Sequence, residues 1–255
     1  MIKFFRNIRK SLLHQGKTAN YLKYAIGEIA LVMIGILLAL QVNNWNEKRK
    51  QQLQEHKILV SLYSDFKESK NRLLESMDQQ RNVVRKSSEL IKIYEGKKPR
   101  PINDSIKDYI LYGAYGWYRP ELLTGAYDAF VNSGNSELIS NDNLTKMLAE
   151  YFSIVNSGFE DQETSMNLLN NLLTILAPVN VYLYTPYVRN RIGLDSIRSP
   201  KEDEAIDFLF KQDDFFGQLI HRTVIEDLRY SIQKDMLDKI NQIMSVLKHE
   251  IELNP

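Results

Sequence analysis

The chain has 255 residues, 33 Lys and Arg against 32 Asp and Glu, and no cysteine. That length holds one or two domains, and the lack of cysteine excludes a disulfide framework, a thiolate metal centre and a cysteine nucleophile. The formal charge of +1 conceals an asymmetry: the first fifty residues carry nine Lys/Arg against Glu28 and Glu47, a local +7, which leaves −6 for everything after them.

The N-terminal stretch holds Lys3, Arg6, Arg9, Lys10, Lys17 and Lys23 with no acidic residue, the flank that the positive-inside rule keeps in the cytoplasm. Met1, Phe4, Phe5, Ile8 and Leu12 recur at helical spacing, so residues 1–20 are predicted to be a basic amphipathic segment lying on anionic lipid. A frayed basic tail is the simpler alternative. Six cations beside an apolar run are accounted for by topology, so no nucleic-acid partner is expected.

From Ala25 to Val42 the chain is apolar except for Glu28 and Gln41. Eighteen residues at helical rise cover about 27 Å, enough for a bilayer core. Tyr21, Tyr24 and Trp45 supply interfacial aromatics at its two ends. Residues 21–45 are therefore predicted to be an uncleaved signal anchor, its partner the lipid bilayer. On a helical wheel Gly35 and Ala39 join Glu28, a small-residue face suited to close helix packing and a homo-oligomer; with Trp45 they form the predicted membrane and oligomer contact. A proton-coupled role for Glu28 is the competing reading, since intramembrane carboxylates often serve ion pathways.

No proline precedes Pro99 and no glycine lies between Gly35 and Gly96, so one helix is predicted from about Tyr21 to Glu95, capped by Gly96, with residues 46–96 as a long helix or stalk. Its apolar positions, Leu59, Tyr63, Phe66, Leu73, Met77, Val84, Ile91 and Tyr94, are near-heptad, but Lys70, Gln80 and Ser87 interrupt that seam. Residues 97–255 are predicted to be a helical domain on the periplasmic side. It opens on an aromatic stretch, Tyr109, Tyr112, Tyr115, Trp117 and Tyr118, which either lines a ligand pocket or packs as core.

Further helices are predicted at Thr124 to Val131, ended by Gly134, at Asn143 to Ile154, and at Met166 to Leu176. The tyrosine-rich connector from Val181 to Tyr187 reads as a short strand or an extended loop. Glu202, Asp203 and Glu204 follow Pro200, and Asp213 with Asp214 precedes the last helix; at helix N-termini such carboxylates are ordinary dipole partners rather than cation ligands. The closing helix carries Ile225, Leu228, Ile232, Met236, Ile240, Ile243, Leu247 and Ile251 on one stripe, and is predicted to pack antiparallel to the first long helix. The fold class is thus mainly α, a single N-terminal transmembrane helix running into a helical bundle.

Three stretches, MIKFFRNIRKSLL, YAIGEIALVMIGILLALQVNNWNE and, more faintly, TGAYDAFVNSGNSELISN followed by LAEYFS, resemble a widespread family of uncharacterised single-pass inner-membrane proteins of Gram-negative bacteria. The resemblance implies an inner-membrane location and makes Glu28, Gly35, Asn43, Asn44 and Trp45 parts of a family motif. It brings no activity with it.

Motifs for chemistry are not found: there is no phosphate-binding glycine loop, no G-x-S-x-G elbow and no H-E-x-x-H helix. His14, His56, His221 and His249 are scattered. No catalytic residue, cofactor or metal ligand is assigned. The expectation is a non-enzymatic, membrane-anchored periplasmic scaffold or accessory protein that self-associates and meets other envelope proteins. Two alternatives stand beside it: a ligand-sensing module acting through a membrane partner, and a proton-coupled subunit built on Glu28.

Overall fold

The computed structural model describes residues 18–134, 138–157, 162–195 and 200–253. The amphipathic segment expected at Met1 to Leu12 lies outside them. Among the described residues the chain forms nine α-helices, one π-helical turn and no strand. It divides into two compact units, Met1–Lys57 and Ile58–Pro255.

The first helix, α1 (Thr18–Tyr94), ends where the sequence supplies a left-handed residue. Gly96 has φ of +71°, its N–H bonds to the Ile93 carbonyl, and the Lys97 N–H bonds to the Lys92 carbonyl. These two bonds satisfy the last carbonyls in a Schellman motif. Within the first unit, the described part of α1 is almost wholly exposed. Among the described residues α1 is the one helix long and apolar enough to cross a membrane, and no residue of its apolar window is buried.

The second unit is a bundle. After α1 come α2 (Asn103–Tyr109), which runs directly into a π-helical turn (Ile110–Ala114), and α3 (Gly125–Asn132). Next are α4 (Asp142–Asn156), α5 (Gln162–Leu176), α6 (Asn180–Leu183), α7 (Pro186–Arg191), α8 (Pro200–Leu209) and α9 (Asp213–Leu253). Local chemistry sets several starts. Asn141 caps α4 by accepting a bond from the Leu144 N–H at 2.9 Å, and Thr185 caps α7 ahead of Pro186 in the first turn. The connector expected to be a strand or an extended loop is instead the helical pair α6 and α7: with no partner strand its backbone groups find partners within single turns, and Pro186 suits a helix start.

α1 and α9 face each other along two heptad seams. Leu59, Leu62, Phe66, Ser69, Leu73, Ser76, Gln80, Val83, Ser87 and Leu90 alternate by three and four on α1; Phe215, Leu219, Arg222, Glu226, Arg229, Gln233, Met236, Ile240, Ile243 and Leu247 do so on α9, and all are buried. Pairs such as Tyr94 with Asp213 and Gln80 with Glu226 fix the helices as antiparallel. The fold therefore has the predicted architecture, but its seams differ from the apolar stripes. On α9, Met236, Ile240, Ile243 and Leu247 are buried as expected and Ile251 partly so, whereas Ile225 and Ile232 sit at the rim and Leu228 is 54 % exposed. On α1, Gln80 and Ser87 lie inside the seam they were expected to interrupt. For Gln80 and for α9 the reason is a buried layer of polar side chains that bond one another, whereas Ser87 is small enough to sit under the closely packed Gly113.

That layer separates two apolar cores. One gathers Leu59, Leu62, Phe66 and Leu73 of α1, the α4 residues Leu144, Leu148, Tyr151 and Phe152, and Met236 to Leu247 of α9. Its rings interlock: Phe66 lies 4.9 Å from Tyr151, and Tyr127 stacks on Phe152 at 4.0 Å. The other core joins Leu90 to Ile106, Ile110, Leu172, Leu176, Ile206, Leu209 and Phe215 to Leu219. Here Tyr94 stacks on Phe216 at 3.8 Å and donates to Asp213 at 2.6 Å, which holds the Tyr94 hydroxyl above its usual pKa.

Candidate functional site

At the centre of the layer is Glu226, between Arg222 and Arg229 one turn away on either side of the same helix face. Its carboxylate lies 3.0 Å from Arg222 Nη2 and 2.7 Å from Arg229 Nη1, and it accepts bonds from Gln80 and Ser165. Gln80 also donates to the Glu226 backbone carbonyl at 3.2 Å, and Gln233 reaches Ser76 at 3.5 Å. Two guanidiniums against one carboxylate leave the layer with an excess positive charge, which an apolar interior does not tolerate unless dipoles oppose it.

The opposing dipoles come from the aromatic stretch. Arg222 donates to the carbonyls of Gly113 at 3.3 Å, Ala114 at 2.7 Å and Gly116; Arg229 donates to the Tyr118 carbonyl at 2.8 Å. The first two belong to the C-terminal end of the π-helical turn, where carbonyl dipoles concentrate negative potential and favour a cation; the Gly113 carbonyl also accepts the Gly116 N–H at 3.1 Å. Arg229 also stands 5.8 Å from the Trp117 ring centroid. Burial pulls the Arg222 pKa down, and Glu226 opposes that shift. The π-helical turn approaches this position because its glycines permit it. A Cβ on Gly113 would lie 2.8 Å from the Ser87 backbone nitrogen, and one on Gly116 would lie 2.7 Å from Val83 Cγ2.

Beside the layer a groove of about 650 Å³ runs between Arg72, Glu75, Ser76 and Gln79 of α1 and the segment Tyr118 to Glu121. Ser76 and Tyr118 belong to both features, so the groove floor is one hydrogen bond from Arg229 and Gln233. Arg72 is held by Glu68 at 2.9 Å and by the Glu121 carbonyl at 3.5 Å.

The five aromatics singled out in the sequence do not converge on one pocket. Tyr118 borders the groove and Trp117 lies under Arg229. Tyr112 takes the Lys86 ammonium over its ring at 4.6 Å. Tyr109 and Tyr115 pack against the second core, and Tyr115 donates to Asn180 at 2.8 Å; burial pushes its hydroxyl pKa well up. In the other unit Glu28 is half-buried, Trp45 is exposed, and a Cβ on Gly35 would meet nothing within 4 Å. Of the acidic run at 202–204, Glu202 pairs with buried Lys107 at 2.6 Å and Asp203 accepts from Asn103, while Glu204 is exposed. Among the described residues no three His, Cys, Asp or Glu side chains converge as metal ligands.

Arg222, Glu226, Arg229 and Gln233 are the residues that pattern reading missed. A signal was present: they repeat at intervals of four, three and four, in phase with Met236, Ile240, Ile243 and Leu247, so the heptad continues through them with its chemistry changed. A family model described as a family of unknown function (DUF6090) matches residues 28–136, which takes in the apolar run, the α1 side of the layer and the glycine turn but not the arginines of α9. No curated protein and no solved structure matches the chain.

Proposed function

We propose that the chain is a non-enzymatic, membrane-tethered helical module whose bundle stands on the periplasmic side and serves as a scaffold or accessory subunit. One observation carries this reading. Twelve large apolar side chains between Leu22 and Val42 are each more than half exposed. Fully burying one such side chain is worth about 1.5–3 kcal/mol, so leaving twelve half-bare in water forfeits on the order of 10 kcal/mol, comparable with the whole stability of a domain. A bilayer removes that cost along the entire circumference of the helix. Six Lys/Arg precede the apolar run against Lys48, Arg49 and Lys50 just after it, the bias that places the N-terminus in the cytoplasm. Self-association through the Glu28, Gly35 and Ala39 face belongs to the same proposal.

Alkaline carbonate extraction of native membranes tests the tether. The wild-type chain stays in the pellet, and placing lysine at both Ile34 and Leu37 releases it; release of the wild type would refute the reading. A second reading, ligand binding by the bundle, draws support from the groove, whose floor touches the charged layer through Ser76 and Tyr118.

A further inference from the structure

We propose that the hairpin formed by α6, α7 and the turn after them docks on a second phospholipid bilayer, facing the one that holds α1. The inference rests on the tether for the bilayer it faces, and on different residues for the contact. From Ala177 to Leu194 the chain carries Arg189 and Arg191 and no acidic residue. Arg189 is the clasp: it donates to the Asp195 carbonyl at 2.8 Å and to the Val181 carbonyl at 3.2 Å, which closes the hairpin. The turn is a Schellman motif, with Gly193 at φ of +76°, its N–H on the Asn190 carbonyl and the Leu194 N–H on the Arg189 carbonyl. Such a motif commonly buries the residue after the glycine against the last helical turn. Here the facing position is Arg189, already spent on two carbonyls, and Leu194 is left 47 % exposed. Ile192, on the other side of Gly193, and Tyr187, in the first turn of α7, are each 68 % exposed.

This mixture matches the chemistry of a bilayer surface. Aliphatic side chains flanking a tight turn reach the acyl boundary, a tyrosine ring sits at headgroup depth with its hydroxyl wet, and a guanidinium on a long stem meets phosphate. Arg191 follows Tyr187 by one turn of α7, is exposed and forms no ion pair among the described residues, so its charge faces outward beside the ring. On α8, which packs against α6, Glu202 is held by Lys107, Asp203 by Asn103 and Asp207 by Arg100. Glu204 and Asp195 stay exposed and bound the basic surface. The position in the bundle selects the bilayer. Leu183 of α6 packs in the core that contains Leu90, and α1 rises about 48 Å from Ile58 to Leu90. The patch therefore stands at the end of the bundle where α1 finishes.

The chain has no cysteine, so a single fluorophore can be placed. The full chain carrying Asn190→Cys labelled with NBD is held in phosphatidylcholine nanodiscs, and vesicles of phosphatidylcholine and phosphatidylglycerol are added. The discs float with the vesicles, and doxyl lipid placed in the vesicles quenches the label. Tyr187→Ser with Ile192→Ser weakens capture by about tenfold or more, the loss expected from two apolar side chains. Arg191→Gln weakens it severalfold. Val60→Ser with Leu74→Ser, exposed positions on α1 outside the patch, leaves it unchanged. Absence of capture overturns the proposal, as does equal capture of the Tyr187 and Ile192 double variant. Quenching only by doxyl lipid in the disc also overturns it, by seating the patch on the chain's own bilayer. Carbonate extraction reads the tether separately, so failure here leaves the anchor standing.

Discussion

Replacing Glu226 by alanine tests whether the charged layer holds the bundle together. The substitution leaves Arg222 and Arg229 buried with no carboxylate, and leaves Gln80 and Ser165 without the acceptor they share. Breaking a buried ion pair by removing one partner costs about 3–5 kcal/mol. With a urea dependence of about 2 kcal/mol per molar, the unfolding midpoint should fall by about 2 M, read from Trp117 fluorescence of the full chain carrying Trp45→Phe in detergent. The arginines here differ from a triad whose members bond only each other, because they also hold the carbonyls of Gly113, Ala114, Gly116 and Tyr118. Changing Arg222 to Met, Glu226 to Leu and Arg229 to Met together strips the carbonyls of Ala114, Gly116 and Tyr118 of these donors at about 1–3 kcal/mol each, while the Gly113 carbonyl keeps the Gly116 N–H. The triple variant should therefore be at least as unstable as Glu226→Ala, whereas self-contained triads are often replaced at no loss. A triple variant as stable as wild type would show that the carbonyl contacts contribute nothing and would refute the reasoning.

The glycine turn gives a paired prediction. Gly113→Ala and Gly116→Ala should each cost about 1–3 kcal/mol by overpacking against α1, while Gly217→Ala, where a Cβ meets nothing within 4 Å in a helix, should gain about 0.5–1 kcal/mol; urea unfolding separates the three. On the acid side, Lys98 first and Lys92 second hold the Glu89 carboxyl below its usual range. The folded state thus binds that proton less readily than the unfolded chain, so the contribution is complete above about pH 4.3 and is lost as pH falls through the depressed folded value. Lys98→Met should lower stability at neutral pH by about 0.5 kcal/mol and flatten its fall on acidification; an unchanged acid slope would contradict this.

Most of the architecture was legible because it depends on backbone punctuation and periodicity. Gly96 ended α1, Gly134 closed α3, and the seam from Met236 to Leu247 buried as its spacing required. What stayed hidden shares one cause. Apolar stripes locate a seam only where the seam is apolar, and between Leu219 and Met236 the buried positions are charged or polar. The stripe reader accordingly slips by one residue to Ile225, Leu228 and Ile232, which the structure leaves at the rim or in solvent. Recognising Arg222, Glu226 and Arg229 as interior required knowing that the carbonyls of a π-helical turn more than a hundred residues earlier would be there to receive them. That turn was itself illegible, since nothing in ILYGA separates a π-turn from an α-turn; the close approach of Gly113 and Gly116 to α1 becomes visible only in the structure, where the helix widens by one residue per turn. The connector at 181–187 failed for a different reason: β-branched and aromatic residues favour a strand only if another strand exists to pair with.

The tether is tested most directly by adding protease to the outside of intact spheroplasts carrying N- and C-terminal tags. The account predicts that the C-terminal tag and the bundle are digested while the N-terminal tag survives until lysis. A bundle protected until the cells are broken, or a chain that washes free without detergent, would contradict it.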